Sequence, residues 1–262
     1  MNKFTIIFWN IWLDNQLDGP TGPRSRELLK ELDALVAAHT PDCIGINEVL
    51  FESPDQVPFV FEHLKHHGYR YTHFAYASPI NNQWEIGAGF VSKYPLKDIE
   101  DIVLGEDVFA RIERGISGYK VRSLGVRVEL SNKQSVQVIL AHPHALKPRS
   151  LREHWRHQKV LLETVRKPRY KQVIMGGDFN EPNSLPFNFT RRTKDIFYHR
   201  SGTLMDATWH LKPDHASPIG LNLDKLFWTK EPTTKLLEFK VLKTAVSDHR
   251  PLLGKFEFNN IV

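Results

Sequence analysis

Eight polar side chains in this chain have the chemistry of a hydrolytic site: Asn10, Glu48, His142, Asp178, Asn180, Asp224, Asp248 and His249. The four carboxylates are the donors that hard divalent cations take. The two amides can hold a phosphate oxygen without adding charge, and the two imidazoles can move protons near neutral pH. Such a set suits phosphoester hydrolysis, in which a metal neutralises oxygen charge and a base activates water. The chain carries neither a P-loop glycine-Lys-Ser/Thr run nor a nucleophile-elbow serine.

Each of these residues lies at, within or beside an expected strand. Phe4–Trp9 is rich in aromatic and β-branched residues and reads as a buried strand ending at Asn10. Cys43–Asn47 is a second strand that stops at the polar pair Asn47-Glu48. Val121–Leu130 and Ser135–Ala141 alternate and form a hairpin that ends in His142-Pro143-His144. Residues i and i+2 of a strand share a face, so both imidazoles could look into one site. No further ligands at zinc spacing follow them, and His142 reads as a phosphate-facing group. Gln172–Met175 is a short apolar strand, after which Gly176-Gly177 are expected to turn the chain tightly and present Asp178 and Asn180. Leu221–Trp228 holds Asp224 inside an apolar strand, where a carboxylate needs a partner. Leu236–Leu242 and Leu252–Phe258 are strands around Ser247-Asp248-His249-Arg250-Pro251.

Three helices are expected. One spans roughly Ser25–Ala38, with Leu28, Leu32, Leu35 and Val36 on one face. A second starts at Ser53-Pro54-Asp55-Gln56 and ends near Gly68; His63, His66 and His67 at its end read as solvated residues that complement the helix dipole. The third opens at the capping box Ser150-x-x-Glu153 and turns Leu151, Trp155 and Leu162 inward. Gly105–Gly118 reads as a loop in which Arg114 could touch phosphate. The stretch Pro182–Thr203 interleaves Arg191 and Arg192 with Phe187, Phe189, Phe197 and Tyr198. It could grip a nucleic-acid strand by stacking and phosphate contacts, or equally fold back on its own aromatics.

Composition bounds the rest. The 262 residues show no repeat and no linker, which suits one domain over 1–262. The content, 41% hydrophobic and 25% charged, is that of a soluble globular protein. A net charge of +5 suits a polyanionic partner such as nucleic acid. Cys43, the sole cysteine, lies in an apolar run and reads as a core thiol. No run approaches the ~20 apolar residues of a membrane span. The apolar N-terminus lacks a small-residue cleavage site, so the expectation is a cytoplasmic monomer.

Six motifs in order carry a family resemblance: Phe8-Trp9-Asn10, Ile46-Asn47-Glu48, Gly87–Pro95, Gly176–Asn180, Leu223–Trp228 and Ser247–Pro251. The chain resembles the endonuclease/exonuclease/phosphatase superfamily along nearly its whole length. The resemblance implies a DNase I-like four-layer α/β sandwich, two packed mixed β-sheets flanked by helices. It implies Mg²⁺ or Mn²⁺ as cofactor, with Glu48 the main ligand and Asn10 and Asp248 close to the metal. Asp178 would orient or deprotonate the attacking water, and Asn180 would hold the scissile phosphate. His249, oriented by Asp224, would stabilise the phosphate or serve as acid or base. His142 resembles the second histidine of the DNase I and sphingomyelinase branches. Trp12 stands where abasic-site endonucleases tend to place an acid, and Asn222 where an Arg is common. The expected activity is a phosphodiesterase or nuclease. A sphingomyelinase-like or inositol-phosphate phosphoesterase and a non-catalytic binding module stay open.

Overall fold

Alternation in the first strand sets the architecture. In β1 (Asn2–Asn10), Phe4, Ile6 and Phe8 face one apolar layer, Ile7 and Trp9 face another, and all five are buried. A strand buried on both faces must lie inside a sheet covered on both sides. The computed structural model describes residues 2–12, 16–51, 56–79, 85–106, 120–130, 134–143, 151–167, 172–180, 204–206, 223–229 and 234–259. It places β1 at the middle of a six-stranded sheet with β2 (Cys43–Phe51), β3 (Tyr71–Pro79), β4 (Glu85–Ser92), β11 (Thr234–Val241) and β12 (Leu252–Phe258), in the order β11-β12-β1-β2-β4-β3. A second six-stranded sheet runs β5-β6-β7-β8-β10-β9 and is built from β5 (Leu96–Glu106), β6 (Lys120–Glu129), β7 (Ser135–Ala141), β8 (Val173–Asp178), β9 (Leu204–Asp206) and β10 (Asp224–Thr229).

Each sheet has one parallel pair at its centre, β1/β2 and β7/β8, with antiparallel strands around it. Parallel neighbours need a crossover. Helix α1 (Pro23–His39) lies in the first crossover and α3 (Leu151–Val165) in the second. Leu28, Leu32 and Leu35 of α1 pack with Ile7, Ile44 and Ile46 on the outside of the first sheet, joined by α2 (Phe59–Lys65). Leu161 and Val165 of α3 pack with Ile139 and Met175 on the outside of the second. Between the sheets lie Phe4, Phe8, Phe90, Leu124, Val138, Leu140, Ile174 and Phe256. Burying one such phenylalanine contributes about 1.5–3 kcal/mol. The layers are those of the expected four-layer sandwich.

Several local expectations are corrected. Strand β2 does not stop at Asn47-Glu48 but bulges there and runs on to Phe51. Gly176 and Gly177 make no turn; both lie within β8, where the missing side chains let other groups approach. Helix α1 starts at Pro23, because Asp18 accepts hydrogen bonds from the Arg24 N–H and the Ser25 hydroxyl at 2.8 and 2.9 Å and so satisfies the first turn. Helix α2 starts only at Phe59, since Pro58 disfavours helical torsions at Val57; Ser53–Asp55 lie outside the described residues. The inward face of α3 carries buried His154, His157 and Gln158, and Trp155 is half-buried. Gly105 of β5 makes that packing possible, because a Cβ there would lie 2.7 Å from the His157 ring nitrogen. Strand β5 takes in Gly105 and Glu106, where a loop was expected; it is a charged edge strand, with Arg127 of β6 paired to Asp98 at 2.7 Å. Cys43 is fully buried, and burial pushes its thiol far up.

Candidate active site

The inter-sheet stripe turns polar at one end of the sandwich. On β1 the inward series Phe4, Ile6, Phe8 continues to Asn10, and on β7 the series Val136, Val138, Leu140 continues to His142. On β8, Ile174 and Gly176 lead to Asp178. Strand β10 runs antiparallel to β8, so its first residue, Asp224, stands directly beside Asp178. The carboxyl ends of both central parallel pairs therefore converge, as at the ligand crevices of other α/β sheets.

Glycines bring the two sheets close below this cluster. A Cβ on Gly176 would lie 2.4 Å from the Phe8 ring, so Phe8 sits flat against β8. Above it the Asn10 amide spans the sheets, donating to Glu48 Oε1 at 3.0 Å and to Asp178 Oδ2 at 3.1 Å. Its Oδ1 accepts the Trp12 N–H at 3.1 Å, which fixes which end of the amide meets the carboxylates. Asn47 makes a second bridge, donating to the Ala141 carbonyl at 3.0 Å.

Glu48 reaches the cleft because of the bulge. Its backbone is left-handed, at φ +59°, where a residue with a Cβ needs support. Buried Gln16 supplies it: its amide donates to the Glu48 carbonyl at 2.7 Å and accepts the Leu50 N–H at 2.9 Å. One backbone acceptor and one donor beside the bulge are thereby satisfied.

Asp178, 2% exposed, is the hub. Beyond Asn10, its carboxylate accepts the Asn180 N–H at 2.7 Å and has His249 Nε2 at 3.6 Å and His142 Nε2 at 3.8 Å. His142 Nε2 also lies 3.7 Å from Glu48 Oε1. The Asn180 side chain donates to the Pro143 carbonyl at 3.0 Å.

The Ser247–His249 turn is pinned to the end of β1. Ser247 Oγ donates to the Asn10 carbonyl at 2.8 Å and accepts the His249 N–H at 3.0 Å, and Trp9 Nε1 donates to the His249 carbonyl at 2.9 Å. This sets His249 Nδ1 2.7 Å from Asp224 Oδ2, with Nε2 aimed at the cleft. Burial disfavours charge on both. It pushes Asp224 up to about 6, despite the opposing pull of His249. For His249 burial is outweighed by the charges of Asp224, Asp178 and Asp248, and its value rises to about 11. The 2.7 Å contact between them favours an imidazolium–carboxylate pair. Because the folded value of His249 is raised, the stability it contributes is full below 6.5 and is lost as pH climbs through about 11. In the metal-free chain, ¹⁵N-edited NMR is expected to show the His249 ring still protonated at pH 8. Asp224→Asn should pull its titration down sharply, since burial remains while the paired charge is gone. A titration that the substitution leaves unmoved would show that Asp224 does not hold the charge.

Four carboxylates share this cleft, and His249 does not balance them. Asp248 carries the sign of it: burial, Glu48 and Asp178 all push its carboxyl up, against the pull of His249. Its Oδ1 is buried and has no hydrogen-bond partner among the described residues. His249 Nε2 lies 3.9 Å from that oxygen, beyond hydrogen-bond reach, and a carboxylate so placed in the field of Glu48 and Asp178 fits a hard divalent cation. Glu48, Asp178 and His142 present ligand atoms within 4.8 Å of one another, and so do Asp178, Asp224 and His249.

All eight residues singled out in the sequence thus gather at one end of the sandwich. Asn47, Gln16 and Ser247 were missed as members: Asn47 had a signal as Glu48's neighbour in the motif, and Gln16 had none. Arg114, Arg191, Arg192, His144 and the stretch Pro182–Thr203 lie outside the described residues. No helix among the described residues is long and apolar enough to cross a membrane.

Solved structures share this fold. An endonuclease/exonuclease/phosphatase protein from Beutenbergia cavernae is 16% identical, with a TM-score of 0.76 over 98% of this chain and 72% of that one. The human Nocturnin catalytic domain with bound sulfate is 17% identical, with a TM-score of 0.72 over 98% of this chain and 95% of that one. D. rerio TDP2, complexed with a single-strand DNA product, is 16% identical, with a TM-score of 0.68 over 98% of this chain and 100% of that one. No curated protein sequence matches the chain. The model of the Endonuclease/Exonuclease/phosphatase family matches residues 7–249. With that match and the converged cleft together, the chain belongs to this family of phosphoester-hydrolysing enzymes.

Proposed function

We propose that the chain is a divalent-cation-dependent phosphodiesterase that cleaves nucleic acid by in-line attack of water. The convergence of four carboxylates and two imidazoles on one cleft carries this reading. Glu48 and Asp248 would hold Mg²⁺ or Mn²⁺, with Asn10 orienting Glu48 and Asp178 through its amide hydrogens. The cation, when bound, supplies charge neutralisation at the phosphate oxygens. Asp178 orients the attacking water and takes its proton. Asn180 spends one amide hydrogen on Pro143, which leaves the other for a phosphate oxygen. His142 and the His249 imidazolium face the same oxygens, and His249 can donate a proton to the leaving group. The net charge of +5 and the single-strand DNA product held by TDP2 support nucleic acid as the substrate class.

The test is hydrolysis of a panel with Mg²⁺, Mn²⁺ or EDTA, with wild type beside His249→Ala. The panel holds single- and double-stranded DNA, abasic DNA, RNA, sphingomyelin and phosphoinositides. Cleavage of a nucleic acid should require the cation and fall at least about 100-fold in the variant. Cleavage of the lipids alone would overturn the substrate class, and cleavage unchanged by EDTA would overturn the mechanism.

A further inference from the structure

A second cluster lies in the helix layer outside the first sheet, away from the cleft between the sheets. Asp33 of α1 points to α2, where one of its carboxylate oxygens lies 2.6 Å from His63 Nε2 and 2.7 Å from His67 Nε2. The two histidines are four residues apart, so a helical turn stacks them on one face. The chain keeps that spacing past the last residue of α2. His66 N–H donates to the His63 carbonyl and His67 N–H to the Leu64 carbonyl, at 3.1 and 3.0 Å, and Gly68 then ends the turn at φ +87°. The rings sit 5.5 Å apart, centre to centre, and both turn Nε2 to the same point. Their side chains are a quarter to a third exposed, so an ion can reach them. They stand at the end of α2, as the sequence suggested, but both are paired with Asp33 rather than freely solvated.

We propose that Asp33, His63 and His67 form a transition-metal site, with Zn²⁺ its ion. Their ligand atoms lie within 4.8 Å of one another. Two imidazoles and one carboxylate are a zinc donor set that leaves the fourth position to water. Each ring ligates neutral through Nε2, with its proton on Nδ1; a ring that is charged beforehand releases one proton to solvent. The imidazoles select Zn²⁺, Co²⁺, Ni²⁺ or Cu²⁺ over Mg²⁺, opposite to the carboxylate-rich cleft. The ion ties α1 to α2 and stabilises the folded chain.

The test titrates Zn²⁺ calorimetrically into the full chain held in saturating Mg²⁺, with visible absorption of the Co²⁺ form as a second readout. Wild type should bind one ion more than Asp33→Ala does, since the cleft histidines can also take Zn²⁺, and that ion should show the absorption of a four-coordinate site. Its melting temperature should rise roughly 5–10 °C at a hundredfold excess over Kd. Asp33→Ala should lose the site. So should His67→Gln, which can keep a hydrogen bond to Asp33 but removes the ligand. His66→Ala, on the neighbouring exposed residue, should bind as wild type does. No binding by wild type, or equal binding by Asp33→Ala and His67→Gln, overturns the site. Circular dichroism of each variant separates loss of ligation from loss of fold.

Discussion

Asp178→Asn is expected to lower turnover about 1,000-fold while the chain stays folded. Asparagine has nearly the same shape and can still accept the Asn180 N–H, which meets Asp178 Oδ1 at 2.7 Å. It cannot take a proton from water, and it removes a negative charge that Asn10, His142 and His249 all face. With its oxygen on the Asn180 N–H, the new amide group takes the place of Oδ2 and stands donor against donor at Asn10; the reverse orientation moves that clash to Asn180. The fall should appear in kcat on whichever panel substrate wild type cleaves, with an unchanged circular dichroism spectrum. Wild-type turnover in this variant would remove Asp178 from the chemistry and, with it, the water-attack reading. A fall accompanied by unfolding would be traced through Asp178→Glu, which keeps the charge and should stay folded.

Gly177→Ala is expected to cost about 3 kcal/mol of stability or more. At φ +129° the residue is in torsions that an L side chain rarely adopts. A Cβ there would also lie 2.4 Å from the Ala141 carbonyl oxygen and 2.9 Å from the Asn47 amide nitrogen. The first obstacle is backbone within the central parallel pair, so no rotamer change relieves it, and the second is the amide that joins the sheets. Gly68→Ala is the control. Its φ is +87°, but nothing lies within 4 Å of the added carbon, so only backbone strain of about 1 kcal/mol remains. Urea unfolding midpoints of the two variants separate the terms. Equal midpoints would show that β7 and β8 move apart freely, and that the close approach does not hold Asp178 in place.

The candidate residues could be picked out in the sequence because strand ends and side-chain types are local information. The apolar run Phe4–Trp9 and the alternation in Ser135–Ala141 mark strands that end at Asn10 and His142; which face of β1 turns to the other sheet is not legible, because both its faces are buried. Edge strand β5 escaped because its solvated face carries Asp98 and Asp101, which dilutes the apolar signal to the few side chains that pack. Glu48 was legible as a carboxylate near a strand end. Its left-handed backbone was not, because the clamp that stabilises it comes from Gln16, 32 residues away. The Asp33–His63–His67 cluster escaped for the same reason, since one ligand stands 30 residues before the next.

The four layers were implied only by the family resemblance; read residue by residue, the sequence determined most of the strands, the helices and the residue types at the strand ends. These depend on periodicity, on strand ends and on side-chain chemistry, all set within a few residues of chain. Tertiary structure alone decided that β1/β2 and β7/β8 sit back to back with their carboxyl ends together, and that Asp224 registers beside Asp178. It also turned the two glycines of β8 from a supposed turn into the places where Phe8, Ala141 and Asn47 approach. Contacts of that kind are chosen by the global packing of two sheets, where the lack of a side chain on one strand acts through a side chain on another.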